Sequence, residues 1–210
     1  MRVRAGALLL ALLLIIGLGA CTPTLGVRQL NFQATDAGYP LQADTLLLAQ
    51  RVPTAQLLSV PEAVRRAPLG SVIVACWQDT GWDNFWGPCS HITRKISDTE
   101  LADTWPSKGA NLYPLSLLYP RYAVIVLDVG ARPEHLPAMR AQLEKLKGQP
   151  YDLSGSGETY YCSTLQNALN QVAGLPEVVP FNRGWNAYIP AEALLEPNVK
   201  VLWVGVRGQK

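Results

Sequence analysis

The chain has 210 residues, of which 49% are hydrophobic and 16% are charged. This length allows one domain with a substantial core, and six Trp and eight Tyr exclude a chain that is disordered throughout. The 18 Lys and Arg nearly balance the 16 Asp and Glu, which argues against nucleic acid as the main partner.

The first 20 residues have the pattern of a secretory signal. Arg2 and Arg4 form a basic tip, and residues 5–20 are uncharged and mostly apolar. A membrane-spanning helix needs about 20 apolar residues, so this run is too short to cross a bilayer comfortably, and the small residues near its end favour cleavage. Without the two arginines, the rest of the chain carries equal numbers of basic and acidic residues.

The end of this segment resembles the lipobox of bacterial lipoproteins. The residues are Leu18-Gly19-Ala20-Cys21, and the resemblance implies that Cys21 is lipidated and becomes the first residue of the mature protein. Acyl chains anchor a protein by about 0.8 kcal/mol per buried methylene. Thr22 follows the cysteine where an Asp would signal retention, so the expected location is the outer membrane, facing the periplasm.

Beyond the signal, the sequence predicts two regions. Residues 21–58 are rich in Pro, Gly, Gln and Thr and have weak periodicity, which is typical of a tether and an irregular arm; Leu46 to Leu48 could dock on the core. Residues 59–210 form the predicted domain. Its predicted elements are, in chain order, a helix over 61–67, strands over 71–77, 91–96, 100–104 and 122–129, helices over 133–147 and 161–173, and a strand over 199–206. This order predicts an α+β domain.

Three cysteines remain if Cys21 is lipidated. Cys76 and Cys89 lie 13 residues apart on either side of an aromatic loop, and they are the natural pair if a disulfide forms in the oxidising envelope. The alternative is two buried free thiols. Cys162 is then the odd cysteine.

Cys162 lies in the first turn of a predicted helix, after a loop that contains Gly155 and Gly157. A helix N-terminus favours a thiolate over a thiol and offers free backbone N–H groups to an oxyanion, so this is a suitable place for a nucleophile. The base must be a histidine, and the chain has two. His135, in the first turn of an amphipathic helix, has the pattern of a surface residue, whereas His91 begins a strand after a Gly-Pro turn.

Five segments follow one another in a recognisable order: Ser90-His91-Ile92, Leu101-Ala102-Asp103-Thr104, residues 122–129, Tyr151-Asp152 and Tyr160-Tyr161-Cys162-Ser163. In this order they resemble the circularly permuted NlpC-type cysteine hydrolases. These are papain-like proteins that include YiiX-like and YaeF-like lipoproteins and, more distantly, lecithin retinol acyltransferase-like enzymes. The resemblance implies an antiparallel sheet packed against helices, with the nucleophile at a helix N-terminus.

The resemblance implies a role for each matching residue. Cys162 would be the nucleophile, His91 its general base, and Asp103, where the family has Glu, the group that orients the imidazole. Tyr151 would join the backbone N–H of Cys162 in an oxyanion hole. Each has a plainer alternative: a buried apolar Cys, a strand-end carboxylate or an ordinary packed ring. Thr93 stands where the family has Gly, close to the base, which leaves a catalytically idle domain as an alternative.

The loop before His91 carries four large aromatic residues. We predict that Trp82, Phe85 and Trp86 contact substrate, although the same rings could simply cover the sheet. No metal site or cofactor is expected, because the histidines and cysteines are too few and too dispersed. The glycine-rich segment 154–157 lacks the Lys of a phosphate-binding loop.

The expected activity is therefore that of a lipid-anchored cysteine hydrolase that cleaves an amide or ester bond through an acyl-enzyme. The resemblance suggests cell-wall stem peptides first and an acyl lipid or thioester second. The competing expectation is an idle envelope protein that uses the same groove for binding.

Overall fold

The computed structural model describes residues 25–81, 84–153 and 159–209. The predicted signal peptide, the predicted lipidation site Cys21 and Trp82 lie outside these residues. Within them, no helix combines the length and the apolar character needed to cross a membrane.

The helices and strands follow from runs of apolar residues of the expected period. β4 and β8 are rich in β-branched residues and almost entirely buried, as expected for central strands. The strands are β1 (Gln33–Thr35), β2 (Arg51–Pro53), β3 (Leu57–Ser59), β4 (Val72–Cys76), β5 (His91–Lys95), β6 (Glu100–Trp105), β7 (Gly109–Pro114), β8 (Ala123–Asp128), β9 (Phe181–Asn182), β10 (Ala187–Tyr188) and β11 (Lys200–Val206), and the α-helices are α1 (Ala43–Ala49), α2 (Val60–Arg66), α3 (Leu136–Leu146) and α4 (Cys162–Val172).

Seven of the strands form one sheet in the order β3-β11-β8-β4-β5-β6-β7. Only the pairing of β3 with β11 is parallel; the other five pairings are antiparallel. Helices α3 and α4 pack together, with α4 against β5 and β6, while α2 packs against β8 and β11. The prediction of an α+β domain with a mostly antiparallel sheet packed against helices is confirmed.

The region predicted as a tether and irregular arm is more ordered than expected from residue 25 onward. It contains β1, β2, β3 and α1, and β3 extends the main sheet. Leu30, Phe32, Leu46 and Leu47 are buried in the main core, whereas Leu48 is exposed. Elements of three to seven residues carry too few periods to be recognised in a sequence, and tertiary contacts with the core stabilise them here.

Within the predicted domain, β7 of the main sheet and the two-residue strands β9 and β10 were not predicted. β7 has the sequence GANLYP, and its Gly, Asn and Pro are residues that usually mark turns. It forms the edge of the sheet next to β6, where Pro is tolerated because an edge strand leaves one side unpaired.

A disulfide joins Cys76 and Cys89. It connects the end of β4 to the residues just before β5, and the backbone N–H of Trp77 donates to the carbonyl of Pro88 at 2.9 Å beside it. The bridge thus closes the aromatic loop at its base and fixes the start of β5, where His91 lies.

Removing this disulfide is expected to destabilise the domain by about 3 kcal/mol, the chain-entropy value for a loop of this length. The double variant Cys76→Ala/Cys89→Ala should show this loss in urea unfolding under non-reducing conditions. Wild type measured after reduction should lose a similar amount. An unfolding midpoint that the double substitution leaves unchanged would contradict a stabilising bridge.

Candidate active site

His91 and Asp103 lie side by side in neighbouring strands. The register of β5 and β6 pairs Arg94 with Ala102 and Lys95 with Leu101, so the two side chains meet just beyond these pairs. Nε2 of His91 lies 2.8 Å from Oδ2 of Asp103, and both residues are buried. The pairing of two strands therefore brings together residues 12 positions apart.

The carboxylate of Asp103 is held by three donors. Besides His91, the indole N–H of Trp105 donates to Oδ2 at 3.1 Å, and the backbone N–H of Thr104 donates to Oδ1 at 2.7 Å. Trp105 also packs against His91, with ring centroids 4.9 Å apart. The imidazole is thus held by the carboxylate at its edge and contacted by the tilted indole, a restraint that would suit an acid that orients the ring.

The pKa of His91 is raised to about 10. Burial alone would lower it, but the adjacent Asp103 carboxylate, which is also hydrogen-bonded to the ring, outweighs burial, and a hydrogen bond with Cys162 adds to the effect. Because Asp103 occupies Nε2, the nitrogen that remains for the thiol is Nδ1. His91 is therefore an imidazolium between a carboxylate and a sulfur over most of the pH range.

Cys162 is the first residue of α4, only 3% exposed and not in a disulfide. The turn that begins the helix is held by Thr164, whose hydroxyl accepts from the backbone N–H of Tyr161 at 3.0 Å and donates to its carbonyl at 3.1 Å. The hydroxyl of Tyr161 accepts from the backbone N–H of Tyr188 at 2.7 Å. N–H groups in a first turn have no acceptor within the helix, so they are available to an oxyanion.

A buried arginine connects α4 to β5. Arg94, three residues after His91 in β5, donates to Oε1 of Gln166 at 3.2 Å, to Oδ1 of Asn170 at 2.6 Å and to the carbonyl of Gly70 at 2.9 Å. Gln166 lies one helical turn after Cys162, and its amide donates to the carbonyl of Ala102, the neighbour of Asp103, at 3.1 Å. These bonds connect β5 and β6, which carry His91 and Asp103, to the helix that carries Cys162.

Tyr151 lies beside this group. Burial raises the pKa of its hydroxyl, and the nearby Cys162 and Asp103 raise it further, so the hydroxyl stays protonated and can donate. Its loop is held at β7, where the backbone N–H of Gly148 donates to the carbonyl of Ala110 at 2.9 Å. Gly109, at φ +62°, packs so closely on Gln149 that any side chain there would collide with the Gln149 carbonyl.

Thr93, the residue that suggested an idle domain, does not obstruct the base. Its side chain is fully buried, and its hydroxyl donates to the carbonyl of Ala102 at 3.1 Å. Thr93, which departs from the pattern of the family that the sequence resembles, therefore forms a hydrogen bond between β5 and β6.

The aromatic rings beside His91 differ from those expected. A cleft of about 290 Å³ opens at the imidazole, and Phe85 and Trp86 are not among its lining residues. Phe85 is 42% exposed and packs on Trp86 and Trp185, with centroids 4.9 and 5.8 Å away. The lining consists of Trp77, Ser90, His91, Thr104, Trp105, Pro106, Arg121 and Tyr151.

Trp77, Trp105 and Arg121 were missed as site residues. Trp105 had a usable signal, because strand alternation places it on the same face as Asp103. Trp77 follows the last residue of β4, and Arg121 comes just before β8; no local pattern links them, but the pairing of Cys76 with Ala123 sets them side by side. The guanidinium carbon of Arg121 lies 4.3 Å from the ring centroid of Trp77.

Within residues 25–81, 84–153 and 159–209, no three or more His, Cys, Asp and Glu side chains are grouped so as to hold a metal ion. His135 is half-buried, and its Nδ1 accepts from the backbone N–H of Arg132 at 2.9 Å.

Comparisons with known proteins give a structural likeness alone. No protein-family model matches the sequence, and no curated protein matches it. The chain is similar in structure to the crystal structure of metalloprotein YiiX from Escherichia coli O157:H7, with 13% sequence identity and a TM-score of 0.53. The likeness covers 66% of this chain and 99% of the YiiX chain, and at this identity it shows that the two share a fold. The YiiX-like part of the sequence resemblance is thereby supported.

Proposed function

We propose that the protein is a cysteine hydrolase with a permuted papain-like domain, which cleaves an amide or ester bond through an acyl-enzyme at Cys162. The observation that carries the proposal is the position of His91 between a buried carboxylate, 2.8 Å away, and the free thiol at the start of α4. A merely structural histidine would not need both a fixed acid and a thiol partner.

In the acylation step, the Cys162 thiolate attacks the carbonyl carbon and the carbonyl electrons move to oxygen. The oxyanion accepts from the Cys162 backbone N–H and the Tyr151 hydroxyl. As the intermediate collapses, the bond to the amine or alcohol breaks, and Nδ1 of His91 gives its proton to that leaving group. Asp103 keeps the ring in place throughout.

In the deacylation step, neutral His91 accepts a proton from water, which attacks the thioester. The bond between carbon and sulfur breaks, the acid leaves, and the thiolate and imidazolium are restored.

YiiX is described as a metalloprotein. The described part of this chain lacks a group of ligands that fits a metal, so no step is assigned to one.

The substrate class that we propose is a cell-wall peptide, with an acyl lipid or thioester as the alternative. A lipid anchor at Cys21 in the outer membrane would hold the enzyme beside either substrate.

The pH dependence of Cys162 alkylation tests the proposal. At pH 6 only about 0.3% of an ordinary thiol is ionised, since its pKa is about 8.5. A thiolate stabilised by imidazolium should react with iodoacetamide about tenfold faster than such a thiol. This factor is smaller than the gain in ionisation, because a thiol of lower pKa gives a less nucleophilic thiolate. The labelled residue is identified by mass, under non-reducing conditions that keep Cys76 and Cys89 bonded.

His91→Ala should slow this labelling at pH 6 by at least about tenfold, while His135→Ala should leave it unchanged. A wild-type rate that rises with pH like that of a free thiol, with no effect of His91→Ala, would overturn the proposal.

A further inference from the structure

A groove along α4 is separate from the cleft at His91 and takes no part in the proposed chemistry. Its volume is about 440 Å³, which suits a small ligand or part of a larger one. Four of its lining residues come from α4, at the spacing of one helix face. The lining consists of Tyr160, Thr164, Asn167, Ala168, Gln171, Leu175, Glu177 and Tyr188.

The groove and the cleft meet at a pair of tyrosines. Tyr151 lines the cleft, Tyr160 lines the groove, and the two residues form an isolated parallel β-bridge. Cys162, which begins α4, lies on the helix face opposite to the groove at 3.6 residues per turn. A ligand that occupies the groove therefore reaches the thiol around the first turn of α4. That distance is about 10 Å, the diameter of a helix, and an extended peptide spans it in about three residues.

Glu177 is the one charged residue among these lining residues. It is exposed, and in the part of the chain that the structure describes no basic side chain forms an ion pair with it. Other polar groups of the groove are engaged within the fold. The Thr164 hydroxyl bonds to the backbone of Tyr161, and the Asn167 amide bonds to the backbone of the two residues that follow Glu177. The Glu177 carboxylate is thus the charge that a ligand in the groove meets.

Two phenol rings share the groove with this carboxylate. Tyr160 and Tyr188 are both half-buried. Burial raises the pKa of the Tyr188 hydroxyl, and the nearby Glu177 carboxylate raises it further. The Tyr188 ring packs edge-on against Phe181, with centroids 5.1 Å apart, so its position is fixed. A carboxylate close to an aromatic ring suits an ammonium group, which pairs with the charge and is attracted to the face of the ring.

We infer that the groove binds an ammonium group of the substrate, about three residues from the scissile bond, with Glu177 as its countercharge. The inference rests on the proposed function, and it favours a peptide that carries a free amine over an acyl lipid. An anionic group would meet a like charge, because the lining residues include no Lys, Arg or His. An alkyl chain in the groove would desolvate the carboxylate without compensating it.

Reagents that alkylate Cys162 and carry an amine at this distance test the inference on the full chain. Iodoacetyl-Gly-Gly-Lys-amide presents the amine on the leaving-group side of the thiol, and acetyl-Lys-Gly-Gly-chloromethylketone presents it on the acyl side. Each is compared with a counterpart whose lysine amine is acetylated and therefore neutral. In at least one of the two pairs, wild type should be alkylated about fivefold faster by the charged reagent. This ratio is expected for one exposed ion pair assisted by an aromatic ring.

Glu177→Gln should abolish the preference for the charged reagent, and Glu177→Asp should retain part of it, since the charge remains. Glu134→Gln is the matched control, because Glu134 is also exposed but does not line the groove. It changes the net charge equally and should leave the ratio of the two rates unchanged. A preference that survives Glu177→Gln would overturn the inference. So would a preference that Glu134→Gln also abolishes, because the net charge of the protein would then attract the reagent.

The spacing of the amine gives a second measurement in wild type. N-(2-Aminoethyl)iodoacetamide carries its amine too close to the reactive carbon to span the end of the helix, so it should react no faster than its acetylated form. A preference as large as that of the longer reagent would place the amine beside the thiol and overturn the inference.

The two proposals fail in different ways. Equal rates with the charged and neutral reagents of both pairs, in a protein whose labelling still depends on His91, would overturn the inference and leave the proposed function standing. Labelling that does not depend on His91 would overturn the proposed function itself.

Discussion

Replacing Cys162 by Ala is expected to abolish the release of stem-peptide fragments from purified sacculi, with a loss of at least about 10³-fold in rate. The loss should be this large because the proposed nucleophile, base and acid would act as a unit, and no described neighbour offers an equivalent thiol. The measurement is the rate of appearance of soluble peptide fragments, compared at equal concentrations of folded wild type and variant.

Ser163→Ala is the matched control for this experiment. Ser163 follows Cys162 in α4, is fully buried, and its hydroxyl has no hydrogen-bond partner among the described residues. Removing the hydroxyl should cost neither activity nor stability appreciably, since an unpaired buried polar group stabilises nothing. If sacculi release the same fragments with wild type and Cys162→Ala, the proposal of a cell-wall peptide as substrate is wrong. Wild type and variant should then be compared for the release of acid from acyl lipids and thioesters.

The central elements of the fold could be predicted because their signals are local. β4 and β8 are uninterrupted β-branched runs, and α3 shows apolar residues at helical spacing, so each was located within one or two residues, apart from a 3₁₀ turn at the start of α3. β7 had no such signal, and the arm before residue 59 gains its order from contacts with a core that forms far away in the sequence.

The candidate site also combines residues that have a local sequence signal with residues that have none. Cys162 at a helix start and the scarcity of histidine are properties of the sequence, and the structure brings Cys162, His91, Asp103 and Tyr151 together. The cleft itself was not predictable, because its walls come from the ends of different strands: Trp77 after β4, Trp105 at the end of β6 and Arg121 before β8. The sequence drew attention to Phe85 and Trp86 because they cluster along the chain, whereas the cleft is made by residues that cluster only in space.

The pairing of His91 with the Asp103 carboxylate should make the stability of the protein depend on pH. The pKa of His91 is about 10 in the folded protein, against an ordinary value of 6.5. Below pH 6.5 the folded and unfolded chains both hold the proton, and the stabilisation is fully present. Between pH 6.5 and 10 only the folded chain holds it, so the free energy of unfolding should fall as pH rises, by up to about 1.4 kcal/mol per pH unit and several kcal/mol in total.

Asp103→Asn should remove this slope, because the carboxylate is what outweighs burial in raising the pKa of His91. The slope is measured by urea unfolding at constant ionic strength, at intervals from pH 6 to 10. The difference in the free energy of unfolding between wild type and variant cancels the titration of distant groups. Cys162→Ala should keep most of the slope, since the thiol contributes less than Asp103 does. His135→Asn, which changes the other histidine of the chain, should keep all of the slope. Parallel curves for wild type and Asp103→Asn would show that the buried pair does not stabilise the fold through its charge.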